Sequence, residues 1–159
     1  MAKDLYYFAY GSNLHPVRLG ERIPSSRFLG VTQVSGYCLR FHKRGGDRSG
    51  KCNALYTGEQ AHYLLGAVYR MDAAHKTTLD EIEGEGYTAE PMTLELGGEN
   101  CRAFAYIAES HHIDERLKPF HWYKELVSIG ARYHGFPSAY IEVIKSIESV
   151  ADNDNQRHR

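Results

Sequence analysis

The segment at residues 5–14 constrains the fold of this chain more than any other. Six apolar or aromatic residues, Leu5 to Tyr10, run directly into Gly11, Ser12 and Asn13. An apolar run of this length beside turn residues predicts a buried strand. The turn residues can bend sharply and expose backbone N–H groups that converge on an anion. We therefore expect a strand whose closing turn holds part of a ligand, while other segments supply walls and one acid–base group.

Length and charge narrow the class of protein. The 159 residues are enough for one domain with a core, which we expect at residues 1–151. Residues 152–159 are polar and are expected to form a disordered tail. The net charge is −1, so no basic field favours a nucleic acid or an anionic membrane as a partner.

Cysteine usage indicates the compartment. Cys38, Cys52 and Cys101 are widely spaced and lack a Cys-x-x-Cys motif, which is typical of reduced thiols. The apolar run near the N-terminus is too short for a signal peptide core or a membrane span. We therefore expect a cytoplasmic protein.

The order of predicted elements indicates an α+β fold. Strands are expected at residues 4–10, 27–43, 51–57, 63–71, 87–96 and 101–108, and helices at residues 15–23, 73–83, 120–135 and 138–150. The segment 27–43 is either one long bent strand or two strands with a bulge between them, because Gly30 and Gly36 interrupt it. Strands joined by short turns favour a small mixed, largely antiparallel sheet, curled toward a barrel with helices packed outside.

Gly45, Gly50 and Lys51 have the spacing of a nucleotide-binding phosphate loop, but two features argue against that function. Cys52 stands where the Ser or Thr that binds magnesium is required, and residues 53–56 are a predicted strand rather than a helix. The basic residues of this region therefore form either a solvated hairpin tip or a rim that attracts carboxylates. They are Arg40, His42, Lys43, Arg44, Arg48 and Lys51.

Two further motifs suggest chemistry, and in each the pattern is incomplete. His111 and His112 lie next to Asp114 and Glu115, but adjacent residues rarely point at one ion and no metal-binding spacing is present. We therefore expect exposed loop histidines and no metal site.

Ser12 follows a predicted strand as a hydrolase nucleophile does, but the glycine two residues later is missing. Ser12 is better explained as a hydroxyl that positions a ligand or forms the turn.

The clearest predicted helix ends in acidic residues. Negative charge at a helix C-terminus opposes the macrodipole, so Asp80, Glu81 and Glu83 are not placed there for helix stability. Gly84 and Gly86 would let the backbone approach another group closely. The alternatives are a solvated helix end and a segment in which one glutamate is functional.

Two separated motifs of the chain resemble those of the gamma-glutamylcyclotransferase family. They are Tyr-Phe-Ala-Tyr-Gly-Ser-Asn-Leu at residues 7–14 and Leu-Asp-Glu-Ile-Glu-Gly at residues 79–84, in the family's order. Gly-Ala-Val-Tyr at residues 66–69 is similar to the family strand before the catalytic helix, and residues 123–140 resemble its C-terminal helices. The similarity therefore covers nearly the whole chain apart from the tail.

The resemblance implies a small barrel-like α+β fold and an enzyme that releases 5-oxoproline from gamma-glutamyl compounds. It places Glu83 at the family's catalytic acid–base position. The implied substrate-binding residues are Tyr7, Phe8, Ala9, Tyr10, Gly11, Ser12, Asn13, Tyr87, Tyr106 and Tyr123. No metal and no cofactor is implied, because the reaction is an attack within one molecule.

The resemblance also implies a small gamma-glutamyl molecule as the partner, and it leaves open whether the chain forms a homodimer. Ser12, Asn13 and Leu14 agree with the branch that acts on gamma-glutamyl amino acids. The alternatives are a glutathione-specific enzyme, a gamma-glutamylamine cyclotransferase and a non-catalytic module that binds a small acid. An acyl hydrolase that uses Ser12 is a further hypothesis.

Overall fold

Seven strands and four helices build the described part of the chain, residues 3–154, in the computed structural model. The strands are β1 (Asp4–Ala9), β2 (Arg27–Ser35), β3 (Tyr37–Arg44), β4 (Gly50–Tyr56), β5 (Tyr63–Asp72), β6 (Tyr87–Leu96) and β7 (Glu99–Ala108). The helices are α1 (Pro16–Arg22), α2 (Lys76–Glu83), α3 (His121–Tyr133) and α4 (Ser138–Ser146). The predicted tail lies outside the described residues from position 155 onward. Within residues 3–154, no helix is both long and apolar enough to cross a membrane.

Five strands form a curled sheet in the order β2-β5-β1-β7-β6, and β3 and β4 form a separate two-stranded sheet. Neighbouring strands of the larger sheet are antiparallel except β1 and β7, which run parallel. The two edge strands approach each other, since the Thr32 hydroxyl of β2 donates to the Glu95 carbonyl of β6. The expected α+β fold, a mixed and largely antiparallel sheet curled toward a barrel with helices outside, is confirmed.

Strand β1 lies at the centre of the larger sheet, and its second half belongs to the core. It pairs with β5 along its length and meets β7 where Tyr7 lies opposite Phe104. Asp4 and Tyr6 are exposed, whereas Tyr7 to Tyr10 are buried. The strand predicted at the N-terminus is therefore fully buried only in the half that leads into the turn.

The predicted segment at residues 27–43 is two strands rather than one. Gly36 has a φ of 85°, a conformation open chiefly to glycine, and the chain passes there from the larger sheet to the smaller one. The bulge lies inside β2, between Phe28 and Gly30, rather than between the two strands. The β3–β4 hairpin then reaches the end of β7, where the Ala108 N–H donates to Asn53 Oδ1 (2.8 Å).

Helix α2 begins as a 3-10 turn at Ala73–His75. The Asp72 side chain caps this turn by accepting a hydrogen bond from the Ala74 N–H (2.9 Å). The helix stops where Gly84 takes a φ of 82°. Glu83 is therefore the last helical residue.

Gly50, at the start of β4, leaves no room for a side chain. A Cβ atom there would lie 2.1 Å from the Phe41 carbonyl oxygen, which is backbone and cannot rotate away. We expect Gly50→Ala to lower the free energy of unfolding by about 3 kcal/mol and the melting temperature by roughly 6–12 °C. Gly46→Ala is the matched control, because a Cβ there meets no atom within 4 Å. Equal melting temperatures for the two variants would contradict this assignment.

Candidate active site

The turn after β1 and the end of α2 meet at a small pocket, called here the inner pocket. Its volume is about 20 Å³, room for about one water-sized polar group. Its lining residues are Tyr7, Tyr10, Gly11, Ser12, Asn13, Cys52, Glu83, Tyr87, Tyr106 and Tyr123.

The inner pocket brings together nine of the eleven residues that the sequence indicated for the site. Phe8 and Ala9 are not among its lining residues. Their side chains are 0% and 1% exposed and pack in the core, which gives these two residues a structural role. Cys52 is the lining residue that sequence reasoning missed, because nothing near it in the sequence marks it as part of a site.

The turn after β1 is held by hydrogen bonds from near and far in the chain. The Leu14 N–H donates to the Gly11 carbonyl (3.2 Å), and the Tyr69 hydroxyl donates to the Leu14 carbonyl (2.8 Å). The Asn13 side-chain N–H donates to the Tyr7 hydroxyl (3.1 Å). Asn13 Oδ1 is buried and has no hydrogen-bond partner within residues 3–154. Leaving such an acceptor unpaired costs about 1–3 kcal/mol, so a ligand N–H group is well suited to occupy it.

Tyrosine rings form the walls of the inner pocket, and three of their hydroxyl groups make hydrogen bonds to backbone groups. Tyr10 donates to the Tyr106 carbonyl, and Tyr87 donates to the Cys52 carbonyl. The Tyr123 hydroxyl accepts from the Cys52 N–H (2.9 Å). Burial raises the pKa of Tyr10, Tyr87 and Tyr123 well above the ordinary value, so these hydroxyls stay protonated near neutral pH. The walls are therefore preorganised and release no proton there.

Tyr106 links the pocket wall to helix α2. Its hydroxyl donates to Asp80 Oδ1 (2.6 Å), and the Lys76 ammonium donates to both oxygens of the same carboxylate (3.0 Å). Glu81, the next acidic residue of the helix, is exposed. Of the acidic residues that end α2, Asp80 therefore has a structural partner and Glu83 is the one that lines the pocket.

Glu83 is the titrating group of the site. Burial of its carboxyl group raises the pKa to about 7, although the charges of Arg22, Lys43 and Arg18 act in the opposite direction. Part of the residue remains accessible, and it lines the inner pocket. A carboxyl group with this pKa is present in both protonation states near neutral pH. It can therefore accept a proton and return it.

A larger space, the outer cavity, continues from the inner pocket and has a volume of about 620 Å³. Ser12, Glu83, Tyr87 and Tyr123 line both spaces. Five basic residues also line the outer cavity, namely Arg18, Arg22, Lys43, Arg44 and Lys51. A ligand that reaches Glu83 can therefore extend into a basic chamber.

The structure shows that part of the basic hairpin is a cavity wall and not a solvated tip. Lys43 is 2% exposed, and its ammonium donates to the Glu85 carbonyl (2.5 Å) and lies 4.2 Å above the centre of the Tyr87 ring. Arg48, by contrast, is exposed. The loop before Lys51 leads into β4, which confirms the strand predicted after it and differs from the helix that follows a phosphate loop.

The acidic residues beside His111 and His112 in the sequence bind other partners, and a different acidic residue lies next to the histidines. Asp114 receives hydrogen bonds from Arg116, and Glu115 bonds to His42. The remaining pair, His111 and His112, lies with Glu109 in a group whose potential ligand atoms are all within 4.8 Å of one another. These are residue types that bind metal ions, so the structure brings together a candidate group where none was expected. His112 also lines the outer cavity.

The raised pKa of Glu83 predicts that this residue reduces stability at high pH. Between an ordinary pKa near 4.5 and the folded value of about 7, the folded protein holds a proton that the unfolded chain has released. Stability is therefore full below about pH 4.5 and falls as the pH rises through about 7. Glu83→Gln, which is neutral throughout, should match the wild type near pH 4.5 and exceed it by about 1–2 kcal/mol near pH 8, after allowance for partial exposure.

Urea unfolding of both proteins at the two pH values measures this difference. Glu81→Gln provides the control, because Glu81 is exposed on the same helix and its variant should follow the wild type at both pH values. A Glu83→Gln protein no more stable than the wild type near pH 8 would show that the Glu83 carboxyl group is not effectively buried.

Comparisons with known proteins match one family over most of the chain. A model of the family described as gamma-glutamyl cyclotransferase, AIG2-like, matches residues 7–125. The chain is 29% identical to human gamma-glutamylcyclotransferase, with 92% of this chain and 80% of the human protein aligned. It is 30% identical to the mouse protein of the same name, with 89% of this chain and 78% of the mouse protein covered.

Solved structures show the same fold. A structure described as gamma-glutamyl cyclotransferase aligns with a TM-score of 0.83 at 24% identity, over 96% of this chain and 92% of that one. A human protein solved as uncharacterised aligns with a TM-score of 0.82 at 26% identity, over 95% of this chain and 92% of that one.

Proposed function

The chain belongs to the gamma-glutamyl cyclotransferase, AIG2-like family and is a cyclotransferase enzyme, and from that membership we propose that it converts gamma-glutamyl amino acids into 5-oxoproline and the free amino acid. The alpha-amine of the gamma-glutamyl group attacks its own gamma-carbonyl carbon. A C–N bond forms within a five-membered lactam, and the C–N bond to the leaving amine breaks. Because both reacting groups belong to one molecule, positioning alone lowers the barrier by several kcal/mol.

Glu83 moves the protons in this reaction. The substrate ammonium gives one proton to the Glu83 carboxylate before the attack, and the lactam nitrogen loses a second proton as the ring closes. Glu83 passes both protons in turn to the leaving nitrogen, which departs as an ammonium. A carboxyl group with a pKa of about 7 can take both roles in turn at neutral pH. The observation that carries the proposal is the position of Glu83, which lines both the inner pocket and the outer cavity beside the turn after β1.

The turn after β1 holds the gamma-glutamyl end. The buried and unpaired Asn13 Oδ1 accepts a hydrogen bond from the alpha-amino group. Backbone N–H groups between Gly11 and Asn13 bind either a carboxylate or the developing oxyanion. The inner pocket admits about one polar group, so the rest of the substrate lies in the outer cavity.

Ser12 serves as a positioning hydroxyl in this proposal and not as a nucleophile. An acyl hydrolase would need a histidine bonded to the serine. His15, the histidine nearest to Ser12 in the sequence, instead caps α1 by accepting from the Val17 N–H (3.1 Å).

We further propose that residues 1–151 act as one domain in the cytoplasm, in agreement with the free thiols of Cys38, Cys52 and Cys101.

The test is to incubate the purified protein with gamma-glutamyl-alanine, glutathione and gamma-glutamyl-lysine and to quantify 5-oxoproline. We expect the highest kcat/KM for gamma-glutamyl-alanine. A preference for glutathione or for gamma-glutamyl-lysine would instead support the glutathione-specific or the gamma-glutamylamine alternative. No 5-oxoproline from any of the three would overturn the proposal and favour a binding module.

A further inference from the structure

The outer cavity carries more positive charge than one leaving amino acid requires. Five basic side chains line it, whereas Glu83 and Glu85 are its acidic lining residues. The alpha-carboxylate of a neutral leaving amino acid needs one cationic partner. At about 620 Å³ the cavity also has room for more than a small residue such as alanine.

Two of the basic residues have internal partners. The Lys51 ammonium binds Asp47 Oδ2 (3.1 Å), and the Arg44 guanidinium lies 3.5 Å from Asp114 Oδ2. Neither therefore needs a carboxylate from a ligand to balance its charge.

The other three basic residues, Arg18, Arg22 and Lys43, have no carboxylate partner within residues 3–154 that forms an ion pair. Arg18 and Arg22 lie four residues apart on α1, where like charges repel. Arg18 Nε is buried and has no hydrogen-bond partner. Lys43 is buried against the Tyr87 ring and donates to a neutral carbonyl. The Glu83 carboxyl group is the acidic neighbour whose charge acts on all three cations. One carboxylate does not balance three cations, and a further anion between these side chains would do so.

We propose that Arg18, Arg22 and Lys43 form a subsite for a leaving group with two or more carboxylates, so that gamma-glutamyl peptides of acidic amino acids are the preferred substrates. The inference rests on the proposed function and narrows its substrate class. The reacting amide lies at Glu83, where the two spaces join, and the leaving amino acid extends into the outer cavity. Its alpha-carboxylate and its side-chain carboxylate then bind separate cations.

The experiment compares kcat/KM for gamma-glutamyl-glutamate and gamma-glutamyl-glutamine, which have the same shape and differ in one charge. We expect the wild type to prefer the glutamate peptide by at least about tenfold. The preference should shrink as ionic strength rises from about 0.05 to about 0.5 M, because salt screens accessible charges.

Arg22→Gln should reduce the preference to about threefold or less, and the ratio of the two peptides is the quantity to compare. Any effect of the lost charge on Glu83 acts on both peptides alike and cancels in that ratio. Arg102→Gln is the matched control, because Arg102 is exposed on β7 and lines neither cavity. Arg18→Gln is a second variant, with thermal melting to confirm that it folds.

Equal kcat/KM values for the two peptides in the wild type would overturn the subsite while the proposed function stands. A preference that survives in both Arg22→Gln and Arg18→Gln would also overturn it. If neither peptide gives 5-oxoproline, the proposed function fails instead. Calorimetric Kd values for the two peptides would then decide the subsite, since tighter binding of the glutamate peptide supports it and equal binding overturns it.

Discussion

Replacing Glu83 by glutamine is expected to lower kcat for 5-oxoproline release by about 10²–10⁴-fold. Glutamine has nearly the same shape as glutamate, but it cannot take the ammonium proton or return one to the leaving nitrogen. The fold should remain, because α2 ends at Gly84 through backbone geometry and not through the side chain of Glu83. The measurement is kcat and KM with gamma-glutamyl-alanine, with 5-oxoproline separated by chromatography.

The pH dependence of kcat/KM shows whether the activity lost in Glu83→Gln reflects proton transfer by Glu83. For the wild type, kcat/KM should rise with pH through about 7, because Glu83 acts as the base only after it loses its proton. The residual activity of Glu83→Gln should lack this rise. Glu81→Gln, which removes an exposed charge from the same helix, should keep both the rate and the profile. A Glu83→Gln protein with the wild-type kcat would exclude Glu83 as the proton carrier.

Gly11→Ala is expected to reduce kcat/KM by about 10–100-fold. A Cβ atom at position 11 would lie 2.9 Å from Cys52 Cβ, closer than real Cβ contacts, and 3.0 Å from its Sγ, closer than most of them. The Cys52 backbone is itself fixed, because its N–H donates to Tyr123 and its carbonyl accepts from Tyr87. The turn after β1 must therefore shift, and a displacement of about 1 Å can cost about 100-fold in rate.

Gly20→Ala is the matched control for Gly11→Ala. Gly20 lies in α1, close to the turn in the sequence, and a Cβ there meets no atom within 4 Å. Both variants should be folded by circular dichroism, and steady-state kinetics should separate them. Wild-type kcat/KM in Gly11→Ala would show that the close contact between the turn and Cys52 does not position the substrate.

The two halves of the site could be predicted because each has a local signal. An apolar strand that runs into Gly11, Ser12 and Asn13 marks a turn, and acidic residues that oppose a helix dipole mark Glu83 as unusual. Their meeting depends on long-range pairing, in which Tyr7 lies opposite both Tyr69 and Phe104. Residue spacing alone does not define sheet register. That the two segments meet was therefore predicted from their resemblance to two motifs of one family.

Lys43 and Cys52 are site residues that local sequence patterns could not predict. Both belong to the β3–β4 hairpin, which reaches the site only because the chain changes sheet at Gly36. Gly36 interrupts the segment in the sequence, but one interrupting glycine does not tell whether the chain bends within one sheet or passes to another. The basic residues of the hairpin therefore left two interpretations open, a solvated tip and a carboxylate-attracting rim, and only the tertiary structure places Lys43 and Lys51 in the cavity wall.

In the proposed reaction the substrate's own amine, and not water, displaces the leaving group at Glu83. Turnover of gamma-glutamyl-alanine in water enriched in heavy oxygen tests it directly by mass spectrometry of the products. Attack by the amine should give alanine and 5-oxoproline in equal amounts, with no heavy oxygen in either. Glutamate that carries heavy oxygen would contradict it, because it would show attack by water at the gamma-carbonyl carbon.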